Sequence, residues 1–224
     1  MERYESGRYG GYGRRPRALI FRAAAHIRMS RDFEFYVFGR SGDVARDSFL
    51  AADLILEYGS GGSTLFAAEH GKTILTVESD PKWLGDLMAA CQARSLPGSV
   101  TALLAEIGDT ADWGYPENEA RWREWPEYAL LPWRTCEKGE LQPDLVFIDG
   151  RFRVACFIAA CVFCKRPTRL LFDDFGEREH YRIVRDLFEP VEIIENRLAV
   201  FEIVPGRVSS RFLLENYRYL FAPE

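Results

Sequence analysis

From residue 53 onward, short apolar runs alternate with stretches of helical patterning, and this rhythm most constrains the fold. The runs span 54–56, 73–77, 100–104, 145–148 and 170–172. They are too short and too continuously apolar for a sheet with one wet face, and read as strands buried on both sides. Between them, 64–70, 81–92, 154–164 and 177–188 read as helices. Strand, helix, strand in this order predicts crossover units and a parallel sheet. Two further runs, 191–194 and 198–204, are separated only by Glu195, Asn196 and Arg197. No crossover helix fits there, so these two form an antiparallel hairpin. The expected fold class is α/β: a three-layer sandwich on a seven-stranded, mostly parallel sheet whose last strand is reversed.

The chain has 224 residues, 47% of them hydrophobic and 28% charged, which is enough apolar material for one buried core. No apolar run approaches the roughly 20 residues of a membrane helix, and no basic-then-apolar leader opens the sequence. The five cysteines, Cys91, Cys136, Cys156, Cys161 and Cys164, are odd in number. They fit a reducing, cytoplasmic setting better than a disulfide framework. Cys161 and Cys164 close a helix rather than open one, which argues against a redox pair, and no second pair follows for zinc.

The net charge of −5 is unevenly spread. Residues 1–31 carry eight arginines against two glutamates, and the remainder carries 21 basic against 32 acidic residues. Residues 1–17 are mostly Gly, Arg and Tyr and read as a flexible basic arm that cannot anchor a core. Arginine interleaved with tyrosine suits contact with nucleic acid or another anionic surface, but a solvated tail is the favoured reading. Residues 18–52 read as a helical lead-in, and 53–224 as the main domain. Inside it, 113–133 holds Trp113, Trp122, Trp125 and Trp133 together with three prolines, where a plain crossover would do. Such an insert either covers a ligand or packs a helix on the sheet, and both readings stand.

The strongest local signal is Glu57-Tyr58-Gly59-Ser60-Gly61-Gly62-Ser63-Thr64, after the first strand and at the start of a helix. Glycines there let the backbone turn sharply and approach a ligand closely. A dinucleotide fingerprint would have a third glycine at Thr64. An acid two residues before the first glycine suits a cationic ligand and would repel a pyrophosphate.

These residues resemble motif I of the class I S-adenosylmethionine-dependent methyltransferases, acid-x-Gly-x-Gly, and in wording a poorly characterised bacterial group among them. The resemblance implies a Rossmann-like fold over about 53–204 with S-adenosylmethionine as cofactor. It implies cofactor contacts at Glu57, Tyr58, Gly59, Ser60, Gly61, Ser63 and Thr64. Glu78, at the end of the second strand, matches the acid that takes both ribose hydroxyls. Gly108-Asp109 matches the acid that meets the adenine amino group, with Glu106 as a rival. Asp149, at the end of the fourth strand, matches the polar residue beside the transferred methyl.

The fifth strand ends in Asp173-Asp174, so Asp149, Asp173 and Asp174 are expected to gather at one edge and form the catalytic set. Catechol-type O-methyltransferases, which the pattern also resembles, hold Mg²⁺ on such acids. Asp-Asp stands here where that family has Asp-Asn, and Arg151 and Arg153 are placed to neutralise the acids or to bind an anionic substrate group. The favoured reading therefore has no metal. The working function is methyl transfer to a small, oxygen-containing acceptor. The alternatives are a non-catalytic protein that binds the same cofactor and, less favoured, an NAD-dependent oxidoreductase. Self-association is left open, and His180, early in the last helix, is read as exposed.

Overall fold

The computed structural model describes residues 33–37 and 39–224. The basic arm and most of the 18–52 lead-in lie outside the described residues. Helix α1 (Gly39–Ala51) leads into β1 (Leu54–Tyr58), α2 (Gly62–Glu69), β2 (Thr73–Glu78), α3 (Pro81–Gln92) and β3 (Ser99–Leu104). Then come α4 (Glu127–Lys138), β4 (Leu145–Ile148), α5 (Arg153–Phe163) and β5 (Thr168–Phe172). The hairpin strands β6 (Glu192–Ile194) and β7 (Leu198–Ile203) and a short α6 (Ser210–Asn216) complete the order.

The seven strands lie in the order β3-β2-β1-β4-β5-β7-β6. β1 pairs in parallel with β2 and β4, and β5 in parallel with β4. β7 runs antiparallel to both β5 and β6, so the reversed last strand is as expected. The hairpin turns on Glu195 and Asn196, both in the left-handed region at φ 51° and 53°, with Arg197 N–H donating to Ile194 O at 2.9 Å. Two successive left-handed residues make the turn whose twist matches the strands it joins.

Each strand sends alternate residues to opposite faces. Ile55, Ile74, Leu145, Phe147 and Leu171 meet Ala45 and Phe49 of α1 and Ala67 of α2. Leu56, Tyr58, Leu75, Val77, Val146 and Ile148 meet α4 and α5 on the other face. Helix α5 is apolar nearly all round because it lies under both α4 and the segment that follows β5.

Two elements depart from the sequence reading. The expected helix at 177–188 is a 3₁₀ helix over Glu179–Asp186, held by only two buried side chains, Tyr181 and Val184. The two lie three residues apart, the spacing that a turn of three residues puts on one face. Helix α2 starts at Gly62 rather than 64, because the glycines turn directly into it.

Candidate functional site

The chain order reverses direction across the sheet between β1 and β4, and their carboxyl ends define the site. In open α/β sheets ligands bind beyond the strand ends at this switch point. Gly59 leaves β1 with φ +92°, and a Cβ there would come within 2.7 Å of Gly150 Cα in the turn after β4. Only glycine lets the two turns approach this closely. Gly61 differs: its would-be Cβ faces open space, with Trp83 Cζ2 the nearest atom at 3.9 Å.

Glu57 lies wholly beneath the turn. Its carboxylate accepts from Ser63 Oγ and Thr64 Oγ1, and Thr64 Oγ1 in turn accepts from Gly61 N–H at 2.9 Å. Burial pushes the Glu57 pKa up to about 7, against the lowering effect of those hydroxyl donors. The acid thus braces the turn from behind. Ser60 Oγ is buried in the turn with no hydrogen-bond partner, while the Ser60 carbonyl accepts from Trp83 Nε1 at 2.7 Å. Tyr58 sends its side chain into the core, where its hydroxyl donates to Ala129 O at 2.8 Å. It borders the turn only through its backbone.

Glu78 ends β2 next to the turn and is nearly buried. Its Oε1 accepts from Ser79 N–H at 2.6 Å and from Asp80 N–H at 3.2 Å. Its Oε2 takes no hydrogen bond among the described residues. Burial raises its pKa, with the backbone donors opposing. Beyond it, between the ends of β2 and β3, lies a cleft of about 370 Å³ lined by Ser79, Pro81, Leu104, Glu106, Gly108 and Asp109, among others. Asp109 and its sequence rival Glu106 therefore border the same space, and Asp109 is exposed there.

The Trp-rich insert divides between its two readings. Trp125 and Trp133 are buried against the sheet and α5, so part of the segment is core. Trp113, by contrast, is 88% exposed and strained at φ 62°. Its neighbour Gly114 lies over Glu78: Ser79 Oγ donates to Gly114 O at 3.0 Å, and a Cβ at Gly114 would sit 3.2 Å from Glu78 Oε1. This contact joins two regions 35 residues apart in sequence, and only Gly114, with φ +72°, hinted at it.

Asp149, Asp173 and Asp174 do gather after β4 and β5, with carboxylate oxygens within 4.8 Å of one another. Three arginines meet them. Arg197, from the far hairpin, grips both oxygens of Asp173 at 2.8 and 2.7 Å. Arg178 pairs with Asp174 at 2.9 Å, and Arg153 pairs with Asp149 at 3.1 Å and Asp174 at 3.3 Å. Arg153 also donates to the Gly150 and Asp173 carbonyls. Three guanidinium groups thus balance three carboxylates. Both oxygens of Asp173 and of Asp174 and one of Asp149 are met by guanidinium groups, so the donor set does not suit Mg²⁺. The sequence placed Arg153 near these acids, but Arg178 and Arg197 carried no signal beyond their charge.

Asp149 meets Arg153 through Oδ1, and its carboxyl also shares a hydrogen bond with Asp173. Its side chain is 35% exposed, yet protein surrounds most of it. That desolvation raises its pKa; Arg153 pulls the other way, and Asp173 and Asp174 add to the rise. Asp173, held by Arg197, stays below the usual carboxylate range even though burial alone would raise it. His180 is exposed, as expected, and packs on Tyr181. All five cysteines are free and buried. Burial pushes the thiols of Cys136 and Cys164 up to about 12 and about 11, away from redox or metal chemistry.

Reversed last strand, glycine turn and acids after β2 and β4 together define a Rossmann-like α/β protein with its candidate site at the carboxyl ends of the strands. Among solved structures, a methyltransferase-like protein from Silicibacter pomeroyi shares 37% identity, covering 85% of this chain and 98% of its own, with a TM-score of 0.80. The chain therefore belongs to the class I S-adenosylmethionine-dependent methyltransferase superfamily, alongside that methyltransferase-like protein. The same fold occurs in an O-methyltransferase of tomaymycin synthesis from Streptomyces achromogenes, in complex with S-adenosylmethionine. That protein has 14% identity, a TM-score of 0.52 and coverage of 75% of this chain and 82% of its own. An O-methyltransferase from Bacillus cereus in complex with S-adenosylhomocysteine has 14% identity, a TM-score of 0.50 and coverage of 77% and 84%. No protein-family model and no curated protein matches the sequence. No helix among the described residues is long and apolar enough to cross a membrane.

Proposed function

We propose that the protein transfers the methyl group of S-adenosylmethionine to an oxygen of a small acceptor. The observation that carries this reading is Glu78: a nearly buried carboxylate whose Oε2 takes no protein donor, one strand from a glycine turn that contains a buried, unpartnered Ser60 hydroxyl. These groups fit a nucleoside with two ribose hydroxyls to donate and an amino acid tail to lay along the turn. Glu57 would act through the turn, by holding Ser63 and Thr64 in place, while Gly61 leaves room for the ligand. Asp109 borders the space an adenine would fill.

The bound cofactor supplies an electrophilic methyl on a sulfonium. The chain's task is then to bring an acceptor hydroxyl in line and to take its proton. Asp149 is the residue for that proton. Its raised pKa makes it a competent base near neutral pH, and Arg153 fixes the carboxylate. Glu78 and the glycine turn would hold the cofactor as its methyl passes to the acceptor oxygen and it leaves as the neutral thioether, while Asp149 takes the hydroxyl proton. Asp173 and Asp174 position Arg153, and so act on Asp149 at one remove. No step needs a metal, and chelation with EDTA is expected to leave the transfer rate unchanged.

Calorimetric titration of the protein with S-adenosylhomocysteine and with NADH tests the reading. Micromolar binding of the first and none of the second is expected; the reverse would replace it with the oxidoreductase reading. A second reading, cofactor binding without transfer, is favoured by the arginines that fill the acidic cluster. A screen of hydroxylated acceptors with labelled cofactor separates the two, and the Asp149→Asn variant should lose transfer while keeping cofactor affinity.

A further inference from the structure

Arg151 and Arg153 follow β4 two residues apart and are both nearly buried, 8% and 3% exposed. Arg153 spends its donors on three carbonyls and two carboxylates at 3.3 Å or less. Arg151 spends none. Among the described residues its guanidinium makes no ion pair and no hydrogen bond. It stacks on the Tyr115 ring, 4.3 Å from the centroid. Its stem passes Gly114, where a Cβ would stand 3.9 Å from Arg151 Cγ and 3.2 Å from Glu78 Oε1. Arg151 therefore lies beside the acid assigned to the ribose, under the same loop. Its backbone is fixed there, since its N–H donates to the Tyr128 hydroxyl at 3.3 Å.

Holding an arginine at 8% exposure without an anion is costly, and stacking on one ring, worth about 2 kcal/mol, offsets only part of that. Arg153 shows how this fold satisfies a buried arginine when the arginine is structural. Arg151 has the opposite pattern: five N–H donors held in a planar fork beside a ligand cleft, with nothing to receive them.

We infer that Arg151 is a carboxylate anchor, completed by an acid that arrives with a ligand. The inference rests on the methyltransferase reading. Two ligands bring such a group: the cofactor, through its amino acid carboxylate, or an acceptor that is itself a carboxylic acid. The chemistry is the same, a forked pair of charge-assisted hydrogen bonds.

The test compares wild type with Arg151→Gln and Arg151→Lys. Both are titrated with S-adenosylhomocysteine and with methylthioadenosine, which has the nucleoside and thioether but no carboxylate. Benzoate is then titrated into the protein saturated with S-adenosylhomocysteine. Loss of a charge-assisted pair should cost about tenfold or more in affinity, with partial recovery in the lysine variant. If S-adenosylhomocysteine weakens and methylthioadenosine does not, the carboxylate is the cofactor's. If S-adenosylhomocysteine is unaffected and benzoate binding is lost, it is the acceptor's.

Equal affinities for all three probes in wild type and Arg151→Gln would overturn the inference, as would an equal weakening of both nucleosides. Melting of the ligand-free proteins guards against a purely structural role. Arg151→Gln should melt at the same temperature as wild type or higher, because an unpaired buried charge is removed. A fall of several degrees would make Arg151 a prop for Tyr115 and overturn the assignment. A wild type that binds no S-adenosylhomocysteine would be a different failure, that of the methyltransferase reading itself.

Discussion

The two halves of the cleft treat their acids in opposite ways. At the β1–β2 end, Glu57 and Glu78 are held by hydroxyl and backbone donors and make no ion pair among the described residues, and both have raised pKa values. At the β4–β5 end, Asp149, Asp173 and Asp174 are matched by Arg153, Arg178 and Arg197. The first half is electrostatically unfinished and the second is nearly closed. A fold builds the closed half for its own stability, whereas an unfinished half is stabilised by what binds there. Substitutions in the two halves should therefore shift stability in opposite directions.

The largest effect belongs to the closed half. Asp173 is 1% exposed and takes two hydrogen bonds from Arg197. Asp173→Ala strands Arg197 and should cost about 3 kcal/mol, read as a lower urea midpoint. The pair Asp173→Leu with Arg197→Met should recover most of that loss, since an apolar pair replaces an ion pair at little cost. A single substitution as mild as the double one would mean that Arg178 and Arg153 already carry the cluster.

Glu57 should respond in the other direction. Its folded pKa of about 7 lies above the ordinary 4.5, so the fold keeps a proton that the unfolded chain has lost. Its contribution to stability therefore falls as pH rises from about 4.5 to about 7 and is level above that. The raised pKa of Glu78 adds a fall of the same sign. Glu57→Gln removes the Glu57 share and should stabilise the ligand-free protein by about 2 kcal/mol at pH 8 and hardly at all near pH 4.5. Denaturant unfolding at the two pH values checks this. If the variant is less stable at pH 8, the hydroxyl donors of Ser63 and Thr64 outweigh the desolvation of the charge.

Legibility in the sequence followed the same division. Strand number and reversal could be read because they rest on local periodicity and on a hairpin too tight for a crossover. Glu57, Glu78 and Asp149 could be read because each ends a strand, and strand ends are what a parallel sheet brings together. Arg197 could not: it reaches Asp173 across a hairpin turn whose three residues signalled only a reversal. The cover of Gly114 over Glu78 was hidden for a similar reason, since a 3₁₀ turn inside an aromatic insert leaves no periodic trace. The Trp-rich segment holds buried and exposed tryptophans side by side, and composition does not say which tryptophan faces the core.

Binding probes the unfinished half directly. Glu78→Ala should weaken S-adenosylhomocysteine about 100-fold, the worth of two charge-assisted hydrogen bonds from ribose, with little loss of fold stability. Calorimetry on a variant shown to be folded checks this. Unchanged affinity would move the ribose contact elsewhere in the cleft.

The smallest expected change in stability comes from Gly61, and it separates cradle from scaffold. Gly59 and Gly61 stand two residues apart in one motif, yet they serve different ends. A Cβ on Gly59 would strike the backbone of Gly150, and its φ of +92° suits no other residue, so Gly59 holds the two turns together. A Cβ on Gly61 meets only Trp83, at 3.9 Å, and its φ of 179° is open to any residue. Gly61→Ala should therefore fold with a stability within about 0.5 kcal/mol of wild type, because nothing in the protein needs that space. If the space belongs to the ligand, the added methyl must still be felt there, as a loss of about tenfold or more in S-adenosylhomocysteine affinity. A variant that binds as well as wild type would mean that the ligand does not lie along the glycine turn.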